Sequence, residues 1–242
     1  MKYFLLFIGY PKSGNTLVAN ILNSNPNVIC SSQLNIFADD NIDFNLIKSY
    51  NNSTWKNITQ IKHVTKQEIK VIGDETGHKT VELLKSNPQK LGIVKSKINV
   101  PIKWIHMVRN PFDNLSTWAK FNYENKLKNG QESYKTYELD NVINKYIDLN
   151  NTISKIKLSE NVLTIRHEYV ITRMHNTLEE MCNFLEISFD PDWRDNVRNA
   201  VWKKPIITRR EMPWNQKQKG IVHDLIAKYD WLSGYDYGCG RC

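Results

Sequence analysis

Continuous apolar runs alternate along the chain with segments whose apolar residues recur every three or four positions. The first run, Tyr3-Phe4-Leu5-Leu6-Phe7-Ile8-Gly9, lacks polar alternation and predicts a fully buried strand over residues 3–9. It leads into Tyr10-Pro11-Lys12-Ser13-Gly14-Asn15-Thr16. A helix is expected from Thr16, with Leu17, Ile21 and Leu22 on its buried side and its end near Asn25-Pro26. Residues 31–65 are polar, rich in Asn and without a clear period, which predicts a mobile cap or substrate loop. Lys70-Val71-Ile72-Gly73 reads as a short strand entering Asp74-Glu75-Thr76-Gly77-His78, and a helix runs on through Leu83-Leu84.

Residues 103–108 form another buried strand, ended by Arg109-Asn110-Pro111, and a helix begins near Phe112. Val142, Tyr146, Leu149, Ile153 and Ile156 mark a long amphipathic helix, and residues 161–165 a fourth strand. Thr177 and Glu180 have the spacing of a capping box, opening a helix with Leu178, Met181, Cys182 and Leu185 inward. A basic stretch over residues 203–210 precedes a last helix carrying Ile221, Val222, Leu225 and Ile226. This alternation predicts an α/β fold, a mainly parallel β-sheet flanked by helices. Ligands of such sheets bind where strands end, so Tyr10, Asp74, Arg109 and Arg166 mark the places to look for chemistry.

With 242 residues and no linker rich in Gly, Pro or Ser, residues 1–242 are expected to form one domain. Such a domain buries about 70% of its unfolded surface, so it needs neither disulfides nor a metal to fold. The four cysteines are too few for a disulfide scaffold and fit a reducing compartment. Cys30 and Cys182 sit among apolar neighbours, whereas Cys239 and Cys242 have C-x-x-C spacing without the second pair of a zinc site. The first apolar run is too short for a signal peptide, and no run approaches the ~20 apolar residues of a membrane span. A soluble, cytoplasmic protein with no membrane partner is expected. Its net charge of +8 points to an anionic ligand without choosing one.

The turn after the first strand narrows the choice. Gly9 to Gly14 has the G-x-x-x-x-G frame of a Walker A loop, but Asn15 stands where that loop needs lysine, with Thr16 after it. Lys12 lies inside the loop instead. Backbone amides of Ser13, Gly14, Asn15 and Thr16, with the helix dipole, can still cradle a phosphate. The displaced charge implies that a different phosphate group is served. A second element puts Arg109 at a strand end and Ser116 and Thr117 on the following helix. Arg109 can reach a phosphate by a forked charge-assisted contact and a hydroxyl of Thr117 or Ser116 by a hydrogen bond.

Together these motifs resemble the sulfotransferase family that uses 3′-phosphoadenosine 5′-phosphosulfate. Pro11-Lys12-Ser13-Gly14-Asn15-Thr16 is similar to that family's P-K-S-G-T-T loop, and Arg109-Asn110-Pro111 with Thr117 to its R-N-P…S element for the 3′-phosphate. Arg166-His167-Glu168-Tyr169 is similar to the Y-E-D segment beside the adenine, which implicates His167. Residues 208–214 sit where the family has a basic loop over the 3′-phosphate; its R-K-G signature is absent, leaving Arg209 and Arg210 as candidates. Leu17 stands where cytosolic members stack a tryptophan on adenine. The resemblance implies a P-loop NTPase-like fold, a nucleotide co-substrate leaving as adenosine 3′,5′-bisphosphate, a hydroxyl-bearing acceptor (glycan or small alcohol) and no metal.

Sulfuryl transfer is an in-line displacement related to phosphoryl transfer, so positioning and charge stabilisation dominate. Lys12 is placed to stabilise charge on the leaving oxygen. The acceptor proton needs a base, and His78, Asp74 and Glu75 at the second strand exit are the candidates. His106 reads as a core histidine. Competing readings are a P-loop nucleotide or small-molecule kinase, opposed by the missing lysine at position 15, an inactive family member, and a non-catalytic binder of anionic polymers. No helix-turn-helix, zinc-finger or RNP signature is present, so nucleic acid is not an expected partner. The oligomeric state stays open.

Overall fold

The computed structural model describes residues 1–32, 36–37, 68–130 and 137–238. Its centre is a five-stranded parallel sheet in the order β2-β3-β1-β4-β5, with β1 at Tyr3–Gly9, β2 at Val28–Ser32, β3 at Val71–Glu75, β4 at Ile102–Val108 and β5 at Val162–Arg166. The register sets Leu6 beside Asp74, Gly9 beside Met107 and Val108 beside Arg166, so the phosphate loop, Glu75, Arg109 and His167 all leave the same sheet edge.

Side chains of β1 alternate between two cores. Phe4, Leu6 and Ile8 pack on one face against α2 (His78–Ser86), α3 (Lys90–Ile98), α4 (Pro111–Lys128), α5 (Leu139–Ser159) and α9 (Gln216–Lys228). Leu5 and Phe7 pack on the other against α1 (Asn15–Asn23), α7 (Met174–Leu185) and α8 (Pro191–Ala200). The short α6 (His167–Thr172) follows β5 directly. Residues 4–8 are wholly buried, as a run without polar alternation requires of a central parallel strand.

The fold class agrees with the sequence reading, and several details do not. β2 is an additional strand, and Ser31 and Ser32, expected in a loop, belong to it. Of residues 31–65 only those two, Ile36 and Phe37 are described; Ile36 and Phe37 are buried in the core, and the rest of that expectation lies outside the described residues. Cys239 and Cys242 lie outside them too. β3 continues through Asp74 and Glu75. α3 and α8 were not anticipated. Thr177 caps nothing: α7 starts at Met174, whose buried side chain carries the helix one turn earlier, and the Thr177 hydroxyl donates to the Arg173 carbonyl at 3.1 Å. The reciprocal capping box belongs to α9, where the Gln218 amide donates to Asn215 Oδ1 at 2.8 Å and the Asn215 amide to Gln218 Oε1 at 3.1 Å. Among the described residues no helix is long and apolar enough to cross a membrane.

Candidate active site

The turn between β1 and α1 is shaped by left-handed backbone at Lys12 (φ 66°) and Gly14 (φ 102°). Glycine is required at the second of these: a Cβ there would lie 2.5 Å from His167 Nδ1. Side chains within the loop hold its shape. The Ser13 hydroxyl donates to the Tyr10 carbonyl at 2.8 Å, and Asn15 Nδ2 reaches Ser13 Oγ at 3.2 Å. From α4, Asn114 Nδ2 donates to the Pro11 carbonyl at 2.7 Å. α1 begins after Gly14 with no side-chain cap, so its first amides and the positive end of its dipole are free for an anion.

A cavity of about 800 Å³ lies over this loop. It brings together Lys12, Gly14, Asn15, Thr16, Glu75, His78, Arg109, Thr117 and His167, drawn from four strand exits and the helices behind them. The exposed Lys12 side chain folds over Phe121, its ammonium 3.2 Å from the ring centroid, and partial desolvation there lowers its pKa. Arg109 is buried and spans two segments, donating to the Lys12 carbonyl at 3.3 Å and the Ile206 carbonyl at 2.9 Å. Its position is fixed by the start of α4. Asn110 caps the Phe112 amide at 3.0 Å ahead of Pro111, and its own amide donates to Glu168 Oε1 at 2.9 Å.

Glu75, His78 and His167, all lining the cavity, are displaced from their usual ranges. Burial, then neighbouring Asp74, pushes the Glu75 carboxyl up to about 8, against a contact from the Thr16 hydroxyl at 3.3 Å. Burial, then Lys79 and Lys12, lowers His78 to about 4. Burial, then Arg109, lowers His167 to about 3, and its Nδ1 has no hydrogen-bond partner. Both histidines are therefore neutral at neutral pH.

Other candidates lie elsewhere. Asp74 points away from Glu75, as successive strand residues do, and its Oδ2 accepts from the Ile36 amide at 3.0 Å and the Thr76 hydroxyl at 2.8 Å. Ser116 is fully buried and accepts from the Trp214 indole at 3.1 Å, leaving Thr117 as the hydroxyl that faces the cavity. The Ser13 side chain is likewise turned inward. Arg209 is buried in an ion pair with Asp113, whose Oδ1 also accepts from the Thr208 and Arg209 amides at 2.8 and 2.9 Å. Arg210 is exposed and does not line the cavity.

The cavity also takes in Lys79, Lys145, Lys204, Phe121 and Trp202, which sequence reasoning did not place there. Phe121 stands one helical turn beyond Thr117, a spacing that could have flagged it. Lys145 stands on the polar side of a helix and carries no such signal. Among the described residues no cluster of three or more His, Cys, Asp or Glu could hold a metal ion.

Comparison with known proteins gives a family and a shared fold. The family model described as the sulfotransferase domain matches residues 4–210. The sulfotransferase domain of the Synechococcus PCC 7002 olefin synthase superposes with a TM-score of 0.57 at 14% identity, covering 95% of each chain. A mouse sulfotransferase complexed with PAP gives 0.53 at 17% identity, over 94% of this chain and 84% of that one. A sulfotransferase from Alicyclobacillus acidocaldarius gives 0.52 at 12% identity, over 93% and 90%. At these identities the structural likeness speaks for the fold. No curated protein sequence matches the chain.

Proposed function

The chain belongs to the sulfotransferase domain family, and on that premise we propose that it transfers a sulfuryl group from 3′-phosphoadenosine 5′-phosphosulfate to a hydroxyl on a glycan or small alcohol. One observation carries the choice of donor: a single cavity is lined both by the phosphate loop with Lys12 and by Arg109 with Thr117. Those are two separate anion-binding elements, as a nucleotide with phosphates at both its 3′ and 5′ positions requires.

The donor supplies the sulfuryl group; the residues of the chain do the rest. The amides at the start of α1 and the Thr16 hydroxyl hold the 5′ end, and Arg109 and Thr117 the 3′ end. Glu75 takes the acceptor's hydroxyl proton as the new S–O bond forms. As the bond from sulfur to the 5′-phosphate oxygen breaks, its electron pair stays on that oxygen, and Lys12 stabilises the charge. Glu75 is preferred over Asp74 because it faces the cavity, and over His78 because a base with pKa close to the working pH is the efficient one.

Thermal melting with ligands tests the donor assignment. Adenosine 3′,5′-bisphosphate at 100 times its dissociation constant is expected to add about 2.7 kcal/mol, and magnesium ATP at the same concentration much less. Equal shifts would remove the assignment.

A further inference from the structure

A second cavity, of about 850 Å³, opens between α6, α7 and α8. Its rim carries Arg173, His175, Arg194, Arg198 and Lys203, and Ile171, Met174 and Val201 form an apolar floor. Arg173 packs 4.3 Å from the centre of the Tyr169 ring. Arg194 pairs with Asp195 at 2.8 Å, and His175 has Glu179 at 3.9 Å. Arg173, Arg198 and Lys203 belong to no ion pair among the described residues. Several cations around one open hollow concentrate anions there, with the Asp195 carboxylate offsetting part of the charge of Arg194 and Arg198.

The proposed donor does not account for this charge. Its anionic groups are met in the first cavity by residues 12–16 and by Arg109 with Thr117, and adenine is neutral. The two cavities touch only at Ile171 and Trp202, the latter 51% exposed. The volume lies within the roughly 300–1,000 Å³ of small-molecule sites. We infer that the second cavity is a separate binding site for a small oligoanion, a compact molecule carrying two or more phosphate or sulfate groups. The cationic rim meets those groups, and the apolar floor and the Trp202 ring meet the body.

Calorimetric titration tests this on the whole chain at low ionic strength, where such contacts are least screened. Inorganic tripolyphosphate and sucrose octasulfate serve as probes and separate a phosphate source from a sulfated-sugar source. At least one is expected to bind with adenosine 3′,5′-bisphosphate already at saturation. Arg198→Ala and Lys203→Ala should each weaken that binding about tenfold, the cost of a lost charge-assisted contact. Both positions are exposed, so the variants should keep the wild-type melting temperature. Probe binding that nucleotide abolishes and both variants retain would put the anion in the first cavity and overturn the inference. So would failure of both probes to bind. Failure of the bisphosphate to bind would remove the donor assignment alone, because the two variants still report on the second cavity without nucleotide.

Discussion

The Thr16 hydroxyl donates to Glu75 Oε2 at 3.3 Å, joining the first turn of α1 to the last residue of β3. The phosphate loop and the proposed base thus share a hydrogen bond before any ligand arrives. Turnover should therefore rise with pH through a limb near 8, the value to which burial lifts Glu75, because the base must lose its proton to act. A limb near 4 would assign the base to His78 instead. Glu75→Gln is expected to lower turnover by about 10²–10⁴ and remove the limb.

The same shift makes Glu75 a burden on the fold at alkaline pH. Its native pKa of about 8 lies above its ordinary 4.5, so the unfolded chain releases the proton first as pH rises. Stability from this group is present below about 4.5 and is lost progressively up to about 8. Glu75→Gln should therefore melt at an increasingly higher temperature than wild type across that window, with a constant difference above it. His78 and His167, both lowered, contribute the opposite slope, but equally in the two proteins, so it cancels in the comparison.

Lys12 and Arg109 should separate chemistry from binding. Lys12→Ala is expected to reduce turnover by about 10²–10³ with a smaller change in donor affinity, if its contact strengthens as the leaving oxygen gains charge. Arg109→Ala should weaken binding of adenosine 3′,5′-bisphosphate by roughly 1.5–3 kcal/mol. Single-turnover rates and equilibrium titration measure the two. Full turnover in Lys12→Ala would refute its role.

Arg209 should matter to the fold rather than to the ligand. Its removal takes from buried Asp113 its ion-pair partner, a change that costs up to about 3–5 kcal/mol in denaturant titration and less where nearby Arg109 offsets the charge. Arg210→Ala, at an exposed position, should stay within about 0.5 kcal/mol of wild type. An Arg209→Ala variant as stable as wild type but unable to bind the bisphosphate would restore Arg209 as a ligand residue.

What the sequence disclosed follows from what local pattern encodes. β1, β4 and the phosphate loop were legible because an unbroken apolar run ending in a glycine turn has few alternatives. β2 was not, since Val28, Ile29 and Cys30 make half a strand and Ser31 and Ser32 look like loop. α3 carries Gly92 and only two buried residues, Val94 and Ile98, so its period is faint. The choice between Asp74 and Glu75 was open in the sequence because both stand at one strand end; which of them faces α1 depends on strand register. Arg209 read as a ligand residue because its partner, Asp113, is distant in sequence and meets it only across the folded chain.

The sheet order also bears on how the chain is made. β1 is translated before its neighbours yet lies in the middle, pairing with β3 from Val71 and with β4 from Ile102. At about 5–20 residues per second, β1 waits some seconds for its first partner in the central sheet. During that wait five successive large apolar side chains, Phe4 to Ile8, have no sheet to cover them. The β2-β3-β1 half of the sheet can therefore pair once residues 71–75 have emerged, and β4 and then β5 add to the open side of β1 afterwards.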